Sequence, residues 1–436
     1  MSLGIHYRAD PFSRRSKGIG EPVNPSIFLC TALVSLAALG CNNPSPAGST
    51  GGVAASGDAS CGHALVVAES DYSSTSIAIV SYDGDVLSPA ILSSGSAGAG
   101  TSAALSGDVV LPLTTPPSGE IVLIDRYPNG VITWLNPTTG QVRTQLSVRT
   151  GFDANPHDYI EVGPNKAYVS RYGSNLNPNQ QDFDRGGDLL VIDPGASSGS
   201  PRVLGRVDLS MPDDGLFLPR PDRMARLGNQ VIVILQRFNA NFSEVGPARL
   251  VGVDIADDTV AWNIELPGLA NCSGVAMSPT QSALALACTG PWNMPANMPA
   301  GAATQSGIAI LDLTVSPPVE ISRFDIESSF GTPPAPSLAF ASADLVVGTT
   351  YGNFDTGQTD RMFAINVATR ELTELLHAQN AFVYGDVRCC DSRCFFADAE
   401  SIGLRRWDVT GTALTEQPLV LLHSATNLPP RYLGGY

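Results

Sequence analysis

Few side chains in this sequence combine type and spacing in a way that chemistry could use. His157 stands beside Asp158, Asp222 beside Arg223, and Asp386 falls in the same phase of a later segment. A carboxylate can orient an imidazole as a base, so His157 and Asp158 are the first pair to weigh. No serine or cysteine nucleophile is identifiable with them, and His63, His157, His377 and His423 occur singly, without metal-ligand spacing. An arginine followed by an aromatic ring recurs at Arg126-Tyr127, Arg171-Tyr172 and Arg237-Phe238. Guanidinium forks pair with carboxylate or phosphate, and aromatic rings stack on sugars, which suits an anionic or carbohydrate ligand. The same arginines could instead tie neighbouring segments together through carboxylates and carbonyls. Asp182, Asp184 and Asp188 in QDFDRGGD offer alternate carboxylates with glycine, a Ca²⁺ candidate without the closing glutamate of an EF-hand. A solvated acidic loop is the other reading of that stretch. TGPWNMPANMPAG brings Trp292, Met294 and Met298 together, as a contact surface or as a loop folded onto the body.

These residues are carried by short apolar runs set between Gly, Pro, Asn, Asp and Ser clusters. Long amphipathic helical patterns are absent, and charged residues are only 15%. That composition points to an all-β protein with many turns. A strand ending in Asp or Asn recurs seven times, at Asp83, Asn136, Asp193, Asp254, Asp312, Asn366 and Asp408. The acid or amide is placed to open a turn by bonding nearby backbone amides. An apolar strand precedes each occurrence and another follows. A fourth, innermost strand precedes most units: HDYIEV, DRMARL, SGVAMS, PSLAFAS and GDVRC. The stretch SAALSGDVVLPLTT could close the first unit or open the second.

Four antiparallel strands repeated seven times predict a seven-bladed β-propeller over 61–436. Two β-sandwiches are the competing arrangement. KAYVSRY, LLVIDP and VLGRVDL in succession resemble the YVTN-type propeller repeat, and the NPHD and Arg-Pro-Asp-Arg starts resemble bacterial propeller lipoproteins of that group. These motifs are structural and specify no chemistry. With the strands named A to D from the axis outwards, the A–B turns are short and the B–C loops long, at 173–187, 239–248, 289–306 and 351–360. The insertions should therefore collect on one face, where function tends to sit. His157, Asp158, Asp222, Arg223 and Asp386 should ring the mouth of the channel on that face, joined by Arg171, Tyr172 and Arg237.

At the N-terminus, Arg8, Arg14, Arg15 and Lys17 precede the apolar run IFLCTALVSLAALG. The run is too short to span a bilayer and reads as an export signal over 1–40. Ala38-Leu39-Gly40-Cys41 resembles the lipobox of bacterial lipoproteins, which implies lipidation of Cys41. The segment 41–60 lacks large apolar side chains and reads as a flexible tether. Asn42 and Asn43 lack the aspartate that, in such lipoproteins, often retains the protein at the inner membrane, so the resemblance implies the outer membrane. Six cysteines remain: Cys61, Cys272, Cys288, Cys389, Cys390 and Cys394. In an exported chain an even number favours disulfides. Cys272 opens one strand and Cys288 ends its antiparallel neighbour, which predicts their pairing. Cys61 should bridge to one of the other three and staple the ring, leaving two to pair locally.

The formal charge is −16, and Lys166 is the one lysine after residue 40. Such a surface repels nucleic acid and anionic lipid. The functional expectation is a monomeric, lipid-anchored envelope propeller that binds or scaffolds a protein or carbohydrate through its long-loop face. It touches the membrane only through its anchor, takes no cofactor unless Ca²⁺, and binds no nucleic acid. The alternative is a propeller-type hydrolase, lyase or quinoprotein working at the channel mouth.

Overall fold

The computed structural model describes residues 61–96, 99–195, 200–291, 306–422 and 426–436. The expected signal, Cys41 and the tether lie outside the described residues, as do Trp292, Met294, Met298 and His423. The described strands form seven four-stranded antiparallel sheets, the blades of a propeller. Blade 3 shows the plan: A is Pro156–Gly163, B is Lys166–Ser174, C is Gly186–Asp193 and D is Arg202–Asp208.

Burial explains why the middle strands read as nearly continuous apolar runs. Side chains alternate sides along a strand. In blade 3, Tyr168 packs towards blade 4, whereas Ala167 and Val169 pack towards blade 2. Both sides of the strand are covered, so apolar residues fill both phases. The outer strand Thr259–Ala270 has one neighbour only, and exposure alternates along its first seven residues. The hydrophobic core is accordingly divided into seven clusters, one between each pair of neighbouring blades.

The ring closes in a way the sequence reading did not place. The innermost strand of blade 1 is Pro430–Gly435, which pairs antiparallel with Leu65–Ser70. The doubtful stretch opens blade 2, and its A strand is only Val109–Val110. Pro112, Pro116 and Pro117 follow at once, and a residue without an N–H cannot extend a ladder. The chain instead leaves the blade and turns into the central channel.

All three disulfides match the sequence expectation: Cys272–Cys288, Cys61–Cys390 and Cys389–Cys394. The turn chemistry matches at five of the seven markers. Asn136, Asp193, Asp254, Asp312 and Asn366 each accept a hydrogen bond from an amide two residues ahead, at 2.8 to 3.1 Å. Asp83 and Asp408 bind arginines instead. Because the strands alternate in direction, B–C and D–A connections share one face of the disc and A–B and C–D turns share the other. The long insertions lie on the first, called here the loop face.

Candidate functional site

The axis of the disc is filled rather than open. The segment after Val110 crosses it, and Leu113 packs against the core between blades 4 and 5. Arg223 of blade 4 donates to the carbonyls of Leu111 (2.9 Å) and His157 (3.4 Å). Arg388 of blade 7 donates to the carbonyl of Leu113 (3.1 Å) and to the Thr115 hydroxyl. Each guanidinium thus reaches a segment two blades away. A Cβ on Gly434 would meet the Leu111 Cβ at 2.9 Å, so only glycine lets the closing strand pass so near.

Asp158 holds the same segment. One carboxylate oxygen accepts the Leu113 and Tyr159 amides (3.0 and 2.9 Å), and the other accepts the Met224 amide (2.8 Å). Blades 2, 3 and 4 therefore meet on one side chain. Burial pushes its carboxyl up to about 6, against the pull of Arg223 and the three amides. Asp386 is also raised by burial; it accepts the Leu433 amide at 3.2 Å and ties blade 7 to blade 1.

On the loop-face side of this filled axis, at the channel mouth, a cluster of side chains is centred on His157. His157 Nδ1 is 3.1 Å from Asp222, and its Nε2 is 3.2 Å from the Asn155 amide nitrogen. Both ring nitrogens are thereby engaged. The ring stacks on Tyr172 at 4.2 Å, and Tyr172 donates to Gln236 (2.8 Å), which in turn bonds Asp222. Burial lowers the His157 pKa and favours the neutral imidazole. Burial works against ionisation of Asp222, but His157, Arg223 and Arg126 outweigh it and leave the carboxyl below its usual range. The stack continues to Phe242 at 6.2 Å, with Arg220 lying 4.3 Å from the Phe242 ring centre.

A second aromatic arc faces the mouth from blades 1, 6 and 7. Arg431 lies over Tyr72 at 5.4 Å and donates to the Phe382 carbonyl (2.7 Å). Phe382 packs between Tyr351 (5.4 Å) and Phe354 (5.2 Å). Buried Asp360 fixes this arc by accepting four backbone amides, from Gly352, Phe382, Val383 and Tyr384. The residues Tyr72, Phe242 and Phe382 all have positive φ, at 64°, 59° and 60°. Bulky side chains rarely adopt that conformation, and such strain concentrates at binding and catalytic sites.

The structure divides the expected site residues into two groups. His157, Asp222, Arg223 and Asp158 do converge, with Tyr172 stacked beside them. Arg171 does not face the mouth. It is fully buried and forms a two-pronged ion pair with Asp188, both contacts at 2.7 Å. Arg237 is 3% exposed and pairs with Glu265 (3.0 Å) and Asp214 (3.4 Å). Arg126 pairs with Asp108 and reaches the Tyr432 hydroxyl at 3.3 Å. The carboxylates of Asp182, Asp184 and Asp188 do not converge. Asp184 accepts the amides of Asn179, Gln180 and Gln181, and Asp188 is held by Arg171 and Arg206. Among the described residues, the one group of His, Cys, Asp or Glu close enough to share an ion is Cys61, Cys390 and Asp391. Its two sulfurs are already joined.

No protein-family model matches this sequence, and the curated proteins yield no match. Solved structures do. The β-propeller domain of Cps50 (Swd1) from Myceliophteria thermophila aligns with a TM-score of 0.54 at 9% identity, over 80% of this chain and 94% of that one. A hypothetical selenium-binding protein from Sulfolobus tokodaii gives 0.53 at 10% identity, over 86% and 93%. A putative 6-phosphogluconolactonase from Bacteroides uniformis gives 0.51 at 10% identity, over 85% and 98%. The likeness is one of fold. At such identities it transfers no activity, and the printed functions of these three proteins differ from one another.

Proposed function

We propose that this chain is a lipid-anchored protein of the bacterial envelope, akin to the YVTN-type propellers, that binds a partner through its loop face. The supporting observation is where large apolar side chains are left in water. Tyr72, Tyr127, Leu176, Leu216, Phe354 and Ile402 are 39 to 73% exposed and all belong to loop-face connections. Among the described residues, only Val315 is comparably exposed in a turn of the opposite face, while Leu87, Leu204, Val319, Ile321 and Leu421, 45 to 60% exposed, are spread singly over the outer strands at the rim. Scattered exposed apolar residues are ordinary, but concentration on one side marks an interaction surface. The filled axis supports the same reading, because among the described residues it leaves no open channel along the axis for a substrate. No described helix is long and apolar enough to cross a membrane, so attachment would rest on Cys41. The leader sequence, the paired cysteines and Asn42-Asn43 fit a monomer held at the outer membrane.

A hydrolase or lyase working at the mouth is the second reading, favoured by the contact between His157 and Asp222. It requires a free imidazole nitrogen, and the neighbourhood of Asn155 works against that. Two measurements test the proposal. Cys41→Ser should release the protein from membranes, and retention would defeat the anchor. Envelope proteins captured by the immobilised full chain should be lost with Tyr72→Ser/Leu216→Ser/Phe354→Ser and kept with His157→Ala. Loss of an enzymatic turnover in the histidine variant alone would favour the second reading.

A further inference from the structure

The exposed apolar residues encircle the mouth rather than lining one cleft. They come from connections in blades 1, 2, 3, 6 and 7 and from the link between blades 3 and 4. A sugar would occupy one blade junction. A surface this broad, over an axis already filled by residues 111–115, suits a macromolecule. Aromatic tips such as Tyr72, Tyr127 and Phe354 are of the kind enriched in protein interfaces.

Charge selects the kind of macromolecule. Between the apolar tips stand exposed carboxylates: Asp71 beside Tyr72, Asp355 beside Phe354, Glu400 near Ile402, and also Asp182 and Glu244, while Asp213 near Leu216 is paired with Arg249. The exposed arginines in the described loop-face connections are Arg149, which is paired with Asp153, and Arg185. The other arginines of this face lie at least partly inside, bonded to carboxylates, hydroxyls or carbonyls. An anionic surface, whether lipid, nucleic acid or a second copy of this acidic face, would be repelled.

Resting on the loop-face reading above, we infer that the partner is a protein presenting an apolar patch framed by lysines and arginines. Apolar contact supplies affinity. The carboxylates set orientation and encounter rate, and their contribution weakens with salt.

The test uses the oxidised full chain and two synthetic amphipathic peptides, one of leucine and lysine, the other of leucine and glutamate. Fluorescence anisotropy should show the lysine peptide binding at least about tenfold tighter, with a clear loss of affinity on raising salt. Tyr72→Ser/Leu216→Ser/Phe354→Ser should weaken it about tenfold, and Asp182→Asn/Glu244→Gln/Asp355→Asn severalfold. Val319→Ser/Ile321→Ser, on the outer edge of blade 5, should leave it within about twofold. Equal affinity for the two peptides, no binding of either, or a folded face variant that binds the lysine peptide unchanged overturns the inference. Near-ultraviolet circular dichroism verifies that each variant is folded. If envelope capture is still lost in the face variant while the peptides show no charge preference, the loop face stands as a binding surface and the cationic partner does not.

Discussion

On the face made by the A–B and C–D turns, the chain reverses in a few residues and satisfies itself locally. Asp312 accepts the Thr314 amide and hydroxyl at 2.8 and 2.6 Å, and Asn136, Asp254 and Asn366 likewise accept the amide two residues ahead. Two of the three disulfides lie on this side: Cys389–Cys394 within the last blade, and Cys61–Cys390 between it and the segment that enters the first. On the opposite face the connections are long, the anchoring carboxylates reach distant segments, and bulky residues sit in the left-handed region. Asp360 gathers amides up to 24 residues away, and Arg171 holds Asp188 beneath the 175–185 loop. One repeat thus serves two purposes. Where no insertion occurs, the turn is a matter of local chemistry. Where one occurs, buried charge at its root fixes the base and leaves the tip free to present side chains to water.

Substitutions can break or sharpen that contrast. The largest effect is expected at the closure. Removing Cys61–Cys390 opens a loop of 329 residues and should cost about 6 kcal/mol by loop entropy, against about 3 for the 16-residue separation of Cys272–Cys288. Denaturant midpoints of the serine variants would compare them, and equal losses would mean that strand pairing alone closes the disc. Next, Arg171→Ala leaves the buried Asp188 carboxylate with only the longer contact to Arg206 (3.3 Å) and should cost about 3 kcal/mol. A change below about 1 kcal/mol in urea unfolding would return Arg171 to the list of ligand contacts.

Asp158 gives a pH signature. Folding raises its carboxyl from 3.8 to about 6, so the folded state binds this proton more tightly than the unfolded state. Its contribution is fully present below about pH 4 and lost as pH rises through about 6, by up to about 3 kcal/mol. A carbon-13 titration of that carboxyl should place its midpoint near 6; an ordinary value near 4 would mean that the amides and Arg223 outweigh burial. Asp312→Ala, on the turn face, should cost about 1 kcal/mol. Smallest of all, Phe354→Ser should change stability by less than about 0.5 kcal/mol while weakening partner binding. A large loss of stability there would show that the loop-face tips hold the fold rather than present themselves.

The blades were legible because their signals are local. Alternating strands and an Asp or Asn at each turn can be read over a few residues, and antiparallel geometry made the Cys272–Cys288 bond readable too. The first blade was not legible, because its inner strand stands more than 350 residues from its partner and nothing local joins RYLGGY to LVVAES. The mouth was half legible. His157, Asp158, Asp222 and Arg223 could be placed by their phase at strand starts, since phase is inherited from the repeat. Arg171 and Arg237 share that regularity, yet their direction depends on acids elsewhere, Asp188 in one case and Asp214 with Glu265 in the other. The second arc was missed because Asp360, Tyr351 and Phe382 belong to different connections, and Arg431 and Tyr432 to the closing strand.

That closing strand also fixes a timetable. Leu65–Ser70 is made early and waits without its inner neighbour until Pro430–Gly435 has emerged from the ribosome. The nascent first sheet carries a bare edge throughout synthesis, so the disc stays unlocked, and its circle incomplete, until that last strand has been made.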